Sequence, residues 1–213
     1  MANDERSLPG LRPLGWPGSR IQINYYRANT GQNLFLYQPV ALNNSGQVQA
    51  QAVIGDMSGI IGSIVGFVDS TKGGLPTDMT DLSQGAYLES LVAGNAGAFV
   101  AVADDPDQLF VMEADTGGTI IGSINSTGYT ATYTFLATTG STVTGISNAM
   151  LDQSTVALDT GGILTLVKPY DVINSDGTTN DLSLNFSKWV VRANSHQNAH
   201  LHGDGLWFNM RQT

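Results

Sequence analysis

The chain has 213 residues and a net charge of −9, with only 13% of its residues charged, about half the usual share. It contains no Cys, which excludes disulfides, thiolate catalysis, zinc–thiolate sites and iron–sulfur clusters. The acidic balance argues against nucleic acid as a partner, because phosphate binding needs Lys and Arg clustered on one face.

The charge is unevenly distributed along the chain. Residues 1–27 carry four Arg against two acidic residues, whereas residues 28–187 carry two Lys against 15 acidic residues, a net charge of −13. The basic start can therefore pair with an acidic neighbour, and the alternative is that the acidity only maintains solubility. No run of 18 apolar residues occurs and no apolar stretch follows a basic start. We therefore predict no membrane span and no secretory signal, and synthesis in the cytoplasm of the producing cell.

Residues 1–30 are predicted to form an extended arm. Three Pro and three Gly within the first 18 residues prevent a continuous helix or a central strand there. Further along the arm, Ile21, Ile23 and Tyr25 alternate like one face of a strand. The arm either packs on its own domain or binds a neighbouring subunit. Because Trp, Tyr and Arg are enriched in interface hot spots, the candidate interface residues are Trp16, Arg20, Tyr25, Tyr26 and Arg27.

Residues 31–200 are predicted to form a β-rich domain, followed by a C-terminal tail at 201–213. Short apolar runs separated by turn residues are typical of an all-β fold, either a β-barrel or a β-sandwich, with two small β modules as the alternative organisation. The predicted strands lie near residues 34–42, 48–54, 61–68, 98–103, 109–114, 119–124, 130–136, 163–168 and 184–193. Little helix is expected, and the candidates are residues 82–92 and a short turn at 147–151 with Ser147 as its N-cap.

Two glycine-bounded apolar segments suggest an internal repeat. Gly-Ile-Ile-Gly occurs at 59–62 and Gly-Thr-Ile-Ile-Gly at 118–122, and each begins an apolar run that leads into polar turn residues. Short apolar strands bounded by Gly also recur by default in β proteins. A duplicated β module is therefore one of two interpretations.

The acidic segment Asp104-Asp105-Pro106-Asp107 separates two apolar runs. Its carboxylates could serve as paired acids or as calcium ligands, but the segment lacks the alternating oxygen ligands and the Gly of a calcium-binding loop. We therefore interpret it as a solvated hairpin turn, fixed by Pro106, that joins two core strands.

The three His residues of the chain, His196, His200 and His202, lie close together near the C-terminus. On a strand they would share a face with Asp204, in a spacing that suits a metal ion. No residue that would orient such ligands is evident, so we predict no metal and no cofactor. The chain has no Gly-x-Ser-x-Gly motif and no glycine-rich loop ahead of a helix, and it is predicted not to be an enzyme. Asn194, His196 and Gln197 are assigned to a buried structural hydrogen-bond cluster.

Five segments occur in a characteristic order, at residues 34–48, 60–70, 99–115, 142–157 and 189–200. Their motifs are Asp104-Asp105-Pro106, Phe110, Gly145-Ile146-Ser147 with Leu151, and Asn194 with His196-Gln197. In this order and spacing the chain resembles a family of tailed-phage virion proteins, the capsid decoration or cement proteins. The arm before residue 30 and the tail after residue 200 lie outside the resemblance.

The resemblance implies a β-rich structural protein, without catalysis, that binds the outside of an icosahedral shell. Its partner would be the major capsid protein, whose subunits it would bridge and so stabilise, commonly as a homotrimer. It would be made in the host cytoplasm and located on the capsid exterior of the virion, without membrane or nucleic-acid partners. The arm residues named above would contact the capsid or a neighbouring subunit.

The competing hypothesis is a carbohydrate-binding or host-attachment β module of a phage head fibre or tail. Such a site would place exposed aromatic side chains beside Asp and Asn in a groove, and the candidates are Tyr129, Tyr133 and Tyr170. The enzyme alternative is a metal hydrolase at His196, His200 and His202.

Overall fold

The computed structural model describes residues 3, 8–15, 21–29, 32–51, 59–68, 99–115, 132–136, 140–141, 143–157, 162–174, 177–194 and 196–197. Within these ranges the chain forms eleven β-strands and no helix, which confirms the predicted all-β class. The strands are β1 (Arg12–Pro13), β2 (Ile23–Arg27), β3 (Pro39–Leu42), β4 (Val48–Ala50), β5 (Gly62–Val68), β6 (Phe99–Ala103), β7 (Leu109–Glu113), β8 (Thr132–Leu136), β9 (Met150–Ala157), β10 (Leu164–Pro169) and β11 (Lys188–Ala193). A helix that could cross a membrane is not found among the described residues.

The strands form two antiparallel sheets. The five-stranded sheet has the order β2-β6-β5-β3-β4, and the six-stranded sheet has the order β1-β7-β11-β10-β8-β9. Neighbouring strands in both sheets pair in antiparallel orientation. The prediction of a barrel or a sandwich is therefore met by two separate sheets within one chain.

Each sheet curls back on itself, so that its first long strand meets its last. In the five-stranded sheet, an isolated parallel bridge joins Ala28, directly after β2, to Val48 of β4. In the six-stranded sheet, the matching bridge joins Ala114, directly after β7, to Leu151 of β9. The residue after each Ala then donates its backbone N–H across the same seam, at 2.8 Å to Val48 O and at 3.1 Å to Leu151 O.

The two sheets repeat one topology. When β2 to β6 are matched with β7 to β11, both sheets have the same strand order, and only β1 is additional. The irregularity in strand pairing also recurs at the same point, between Ile64 and Gly66 in β5 and between Leu166 and Lys168 in β10. A shared order, register and bulge position indicate a duplicated β module, as one reading of the sequence suggested.

The repeat does not follow the glycine segments that suggested it. Gly62, at the end of the first segment, faces Val40 of β3, and the matching position in the six-stranded sheet is Leu164, which faces Tyr133 of β8. The second predicted segment, 118–122, lies outside the described residues.

Each sheet has its own apolar core, because side chains alternate between the two faces of a strand. The core of the five-stranded sheet consists of Ala28, Leu34, Val40, Val48, Ile61, Ile64, Val100 and Val102. The core of the six-stranded sheet is larger and includes the fully buried aromatic side chains Phe110, Tyr133, Phe135 and Trp189. Ala103 of β6 and Ile60, just before β5, also belong to this second core, so the two sheets pack against each other there.

The two ends of the described chain cross over between the sheets. Arg12 and Pro13, which precede the five-stranded sheet, pair with β7 of the six-stranded sheet. His196, which follows the six-stranded sheet, forms a parallel bridge with Ile60 beside β5. Each sheet therefore receives an extended segment from the other end of the chain.

Two residues with left-handed backbone shorten predicted strands. Tyr37 has φ 61° and Phe186 has φ 59°, values that break an extended strand. The run predicted as a strand at 34–42 is consequently a strand only from Pro39 to Leu42. The strand predicted at 184–193 begins only at Lys188.

The predicted helical turn at 147–151 is wrong. Ser147 Oγ accepts the N–H of Ala149 at 3.1 Å, as a capping Ser would, but the chain then enters β9, the longest strand. The side chain thus closes a local turn without starting a helix. The predicted helix at 82–92 and the predicted strand at 119–124 lie outside the described residues.

Candidate functional site

The predicted interface residues of the arm lie on a strand of the domain where they are described. Tyr25, Tyr26 and Arg27 belong to β2, which pairs with β6 along its whole length. Tyr26 is directed to the core of the five-stranded sheet, whereas Tyr25 and Arg27 are on the opposite face, where Arg27 is exposed. Trp16 and Arg20 are outside the described residues.

Asp104 is the centre of a polar cluster at the end of this sheet. The residue is 2% exposed, and its carboxylate accepts hydrogen bonds from Asn24 Nδ2 at both oxygens, at 3.0 and 2.9 Å. The hydroxyl of Tyr26 donates to Oδ2 of the same carboxylate. Amide and phenol donors thus replace the water that an ionised carboxylate would otherwise need.

The hairpin predicted at residues 104–107 is wrong. β6, before the turn, belongs to the five-stranded sheet, and β7, after it, belongs to the six-stranded sheet, so the turn carries the chain from one sheet to the other. The first acid of the turn, Asp104, is buried and not solvated. Asp105 holds the turn, because its Oδ1 accepts the N–H of Asp107 and its carbonyl accepts the N–H of Gln108, both at 2.9 Å.

The six-stranded sheet has apolar residues where the Asp104 cluster is polar. The matched registers of β2–β6 and β7–β11 align the polar group Asn24, Tyr26 and Asp104 with Phe110, Met112 and Ala193. All three counterparts are buried in the core. The fold itself therefore does not require polar groups at these positions, and the cluster is particular to the five-stranded sheet.

The residues predicted as a C-terminal polar cluster are placed as follows. His196 is buried, and Gln197 binds Leu42 of β3, with Oε1 accepting its N–H at 2.6 Å and Nε2 donating to its carbonyl at 3.3 Å. Asn194 is exposed, and its Nδ2 donates to Gly162 O at 2.9 Å. Gln197 and Asn194 therefore fasten the chain to different sheets.

Sequence reasoning missed a second buried polar cluster, around Lys188. This side chain is 1% exposed, and its Nζ donates to Asn174 Oδ1 at 3.2 Å. Glu113, its direct neighbour across β7 and β11, is fully buried, and its Oε1 accepts the N–H of Leu8 at 2.9 Å. Trp189 faces the core, and side chains alternate between the two faces of a strand. Lys188 therefore lies on the face opposite the core, where the sequence predicts a solvated side chain. The Lys188 side chain is nevertheless buried, with Asn174 as its hydrogen-bond partner.

One aromatic residue proposed for glycan binding is excluded by its position. Tyr133 is fully buried in the core of the six-stranded sheet, so it cannot line an open groove. Tyr170 is half-buried, directly after β10, and Tyr129 is outside the described residues.

Of the proposed metal ligands, only His196 lies among the described residues. Among the residues that the structure describes, no group of three or more His, Asp or Glu side chains could hold a metal ion. His200, His202 and Asp204 lie beyond these residues, and His196 is buried beside Ile60.

Asp181 is the exposed acid with a distinctive local environment. The hydroxyl of Ser183 donates to Asp181 Oδ1 at 2.6 Å, and its backbone N–H donates to the same oxygen at 2.9 Å. These two bonds favour the ionised form and lower the pKa of Asp181 from its ordinary value of 3.8. The arrangement shapes a loop and offers no general acid or base near neutral pH.

Comparison of the chain with protein-family models, with curated proteins and with solved structures found no match.

Proposed function

We propose that the protein is a non-catalytic structural component of a tailed-phage virion. In this proposal it decorates the outside of an icosahedral capsid and stabilises the shell by bridging subunits of the major capsid protein. It is made in the host cytoplasm, binds as a homotrimer, and uses no cofactor, membrane or nucleic acid.

The observation that supports this proposal is the way in which the segments that resemble decoration proteins meet in space. The bridges between these segments are Leu36–Ile146, Ile60–His196 and Ala114–Leu151. Segments that are scattered along the sequence thus make the long-range contacts of the fold. Such pairing is expected if the resemblance reflects one shared architecture and not a chance series of turns.

The described buried ionic groups also suit a structural role. Asp104 is engaged by Asn24 and Tyr26, and Lys188 donates to Asn174. These bonds hold strands and loops in place, as is usual for buried polar groups.

The physical effect of such a protein on a shell follows from mass action. A protein that binds the assembled shell but not its separated subunits stabilises the shell by about 4 kcal/mol per site when its free concentration is 1,000 times the dissociation constant. Contacts to several subunits at once increase this effect. The low charge content of the chain favours such a role, because uncharged polar side chains cost less to desolvate than ions.

The test is to mix the protein with undecorated shells of the virus that encodes it. We expect saturable co-sedimentation and a higher temperature of shell disassembly. Shells that are already saturated should take up no further protein, which controls for adsorption. Absence of binding, or binding without any gain in shell stability, would contradict the proposal. A glycan array on the same preparation tests the alternative, and a specific glycan signal without shell binding would favour the attachment module.

A further inference from the structure

An amine, a carboxyl group and a side-chain amide are enclosed together in the second buried polar cluster. Lys188 is 1% exposed, Glu113 is 0% exposed and Asn174 is 6% exposed. Lys188 of β11 faces Glu113 of β7 directly in the strand register, which places their Cβ atoms about 5 Å apart. Lys188 Nζ donates to Asn174 Oδ1 at 3.2 Å. The cluster therefore brings a nucleophile, a base and an acyl group into one site shielded from water.

The orientation of the Asn174 amide is fixed by its other hydrogen bonds. Its Nδ2 donates to Thr178 Oγ1 at 3.1 Å, to Thr179 O at 3.2 Å and to Asn3 Oδ1 at 3.4 Å. Because carbonyl oxygens can only accept hydrogen bonds, the amide nitrogen faces these partners and the amide oxygen faces Lys188. The amide carbon, Cγ, is one bond from that oxygen. The amine is thus held beside the carbon that a nucleophile would attack.

The repeated module shows that the fold itself does not require this set of groups. The matched registers align Glu113 and Lys188 with Arg27 and Phe99 of the five-stranded sheet. Burial of an amine and a carboxyl group has a desolvation cost that an apolar pair would not have. A chemical role for the pair in the six-stranded sheet would account for that cost.

We propose that Lys188 and Asn174 join in an intramolecular amide bond, an isopeptide bond, which the folded chain forms by itself. Glu113 takes one proton from the Lys188 ammonium group, and the neutral amine attacks Asn174 Cγ. The bond that forms is Nζ–Cγ, and the bond that breaks is Cγ–Nδ2. The departing nitrogen receives a second proton from Nζ and the first proton back from Glu113, so it leaves as one ammonium ion. Glu113 is then a carboxylate again, and no oxidant or reductant is needed.

The bond would tie the loop that follows β10 covalently to β11. A link between two segments of one chain restricts the unfolded state, and an amide link is not opened by reducing agents. Since the reaction needs three side chains that come together only in the folded chain, it would follow folding. It involves one copy of the chain alone, so it stands or falls independently of capsid binding.

Mass spectrometry of the purified, denatured full-length protein tests this bond. We expect the intact mass to be lower than the sequence predicts by the mass of one ammonia. A protease that cleaves before Asp separates residues 171–175, which contain Asn174, from residues 181–203, which contain Lys188. We expect these two peptides to be recovered as one branched peptide, with fragmentation placing the branch between Asn174 and Lys188.

Three variants assign the roles of the side chains. Lys188→Arg should keep the full mass and yield two separate peptides. Lys168→Arg is the matched control, since Lys168 is an exposed Lys on β10, and it should form the branched peptide like the wild type. Glu113→Gln retains both linked residues and should form the branched peptide about 100-fold more slowly or worse. Circular dichroism of each variant verifies that the fold is retained.

The wild-type digest alone decides whether the bond exists, so the test does not depend on the folding of any variant. A branched peptide at Asn174 and Lys188 supports the proposal, and two separate peptides from the folded wild type overturn it. Loss of ammonia without a branched peptide also overturns it, because an Asn side chain that cyclises onto its own backbone loses the same mass. A Glu113→Gln variant that links as fast as the wild type would overturn the role of Glu113 as the base.

Discussion

Replacement of Asp104 by Ala is expected to destabilise the protein through lost hydrogen bonds. The buried carboxylate accepts from Asn24 and from Tyr26. Ala occupies the equivalent position in the six-stranded sheet, as Ala193 in β11, so the backbone conformation itself tolerates the smaller residue. The loss therefore measures the polar contacts and not backbone strain.

The magnitude can be estimated from the two donors. Asn24 is exposed, so its amide can return to water at little cost. The Tyr26 hydroxyl belongs to a half-buried side chain and loses a charged acceptor, and hydrogen bonds to charged groups contribute about 1.5–3 kcal/mol each. We expect Asp104→Ala to lower the free energy of unfolding by about 2–4 kcal/mol. For a chain of this size the melting temperature should fall by about 5–15 °C.

The assay is urea unfolding followed by circular dichroism, within a double-mutant cycle. Tyr26→Phe removes the hydroxyl, so the double variant with Asp104→Ala leaves no phenol donor without its acceptor. The double variant should be more stable than the sum of the single effects predicts, by about 1 kcal/mol or more. Asp107→Ala, at the exposed acid of the same turn, should change stability by less than about 0.5 kcal/mol.

Two results would refute this reasoning. One is a loss below about 0.5 kcal/mol for Asp104→Ala, which would mean that the carboxylate is solvated. The other is additivity of the Tyr26 and Asp104 substitutions within about 0.5 kcal/mol, which would mean that the two groups do not interact. Either result would reduce the buried cluster to the solvated turn that the sequence suggested.

Three further substitutions test separate parts of the structure. Gly62→Ala should lower the free energy of unfolding by about 3 kcal/mol or more, because φ is 148° and a Cβ would lie 1.8 Å from a backbone carbonyl of the facing strand. The measurement is a thermal melt, and the control is Gly15→Ala, whose added Cβ would meet no atom within 4 Å. Ser183→Ala should raise the pKa of Asp181 toward 3.8 in an NMR titration. Because the folded pKa is lowered, the stabilisation by Asp181 is present above pH 3.8 and lost as the pH falls through the lowered value, and an unchanged titration would contradict the assigned bonds. Gln197→Ala should cost about 1–2 kcal/mol and speed amide hydrogen exchange in β3, and unaltered exchange there would show that the C-terminal segment does not hold that strand.

Strand positions follow well from sequence, because each apolar run needs only local information. The predicted strands at 98–103 and 109–114 correspond to β6 and β7 almost residue for residue. Period-two alternation identifies which side chains face a core, but it does not specify the partner strand. A short turn between two apolar runs fits a hairpin and a change of sheet equally well. The sheet to which each strand belongs, and therefore the burial of Asp104, could be determined only from the structure.

β9 shows how a strand can be missed. Its sequence, Met-Leu-Asp-Gln-Ser-Thr-Val-Ala, has no continuous apolar run. Asp152 and Gln153 are nevertheless buried. Asp152 Oδ1 accepts the Ser154 hydroxyl at 2.6 Å, and the backbone N–H of Gln153 donates to Asp115 Oδ1 at 3.1 Å. Polar residues that satisfy one another inside a fold look like a loop when only hydropathy is considered.

The candidate interface was predictable in composition but not in orientation. Sequence reasoning selected Tyr25, Tyr26 and Arg27 because such residues form hot spots. In the structure these residues lie on two different faces of β2. Tyr26 packs against the core and donates a hydrogen bond to Asp104, whereas Tyr25 and Arg27 are on the opposite face. Phe99 lies 72 positions from Arg27 and becomes its neighbour only through the register of β2 and β6. No local pattern marks such a pair.

The exchange of chain ends between the two sheets has a consequence for synthesis. Gln197 binds Leu42 across 155 positions of the sequence, and β1, near the start of the chain, pairs with β7. The five-stranded sheet therefore cannot complete its packing before Gln197 has been synthesised. Such long-range closure slows folding. A chain that ended before β11 would lack a strand of the six-stranded sheet and also the Gln197 contact to β3 of the five-stranded sheet. Completion of the six-stranded sheet therefore requires residues from both ends of the described chain, from β1 to β11.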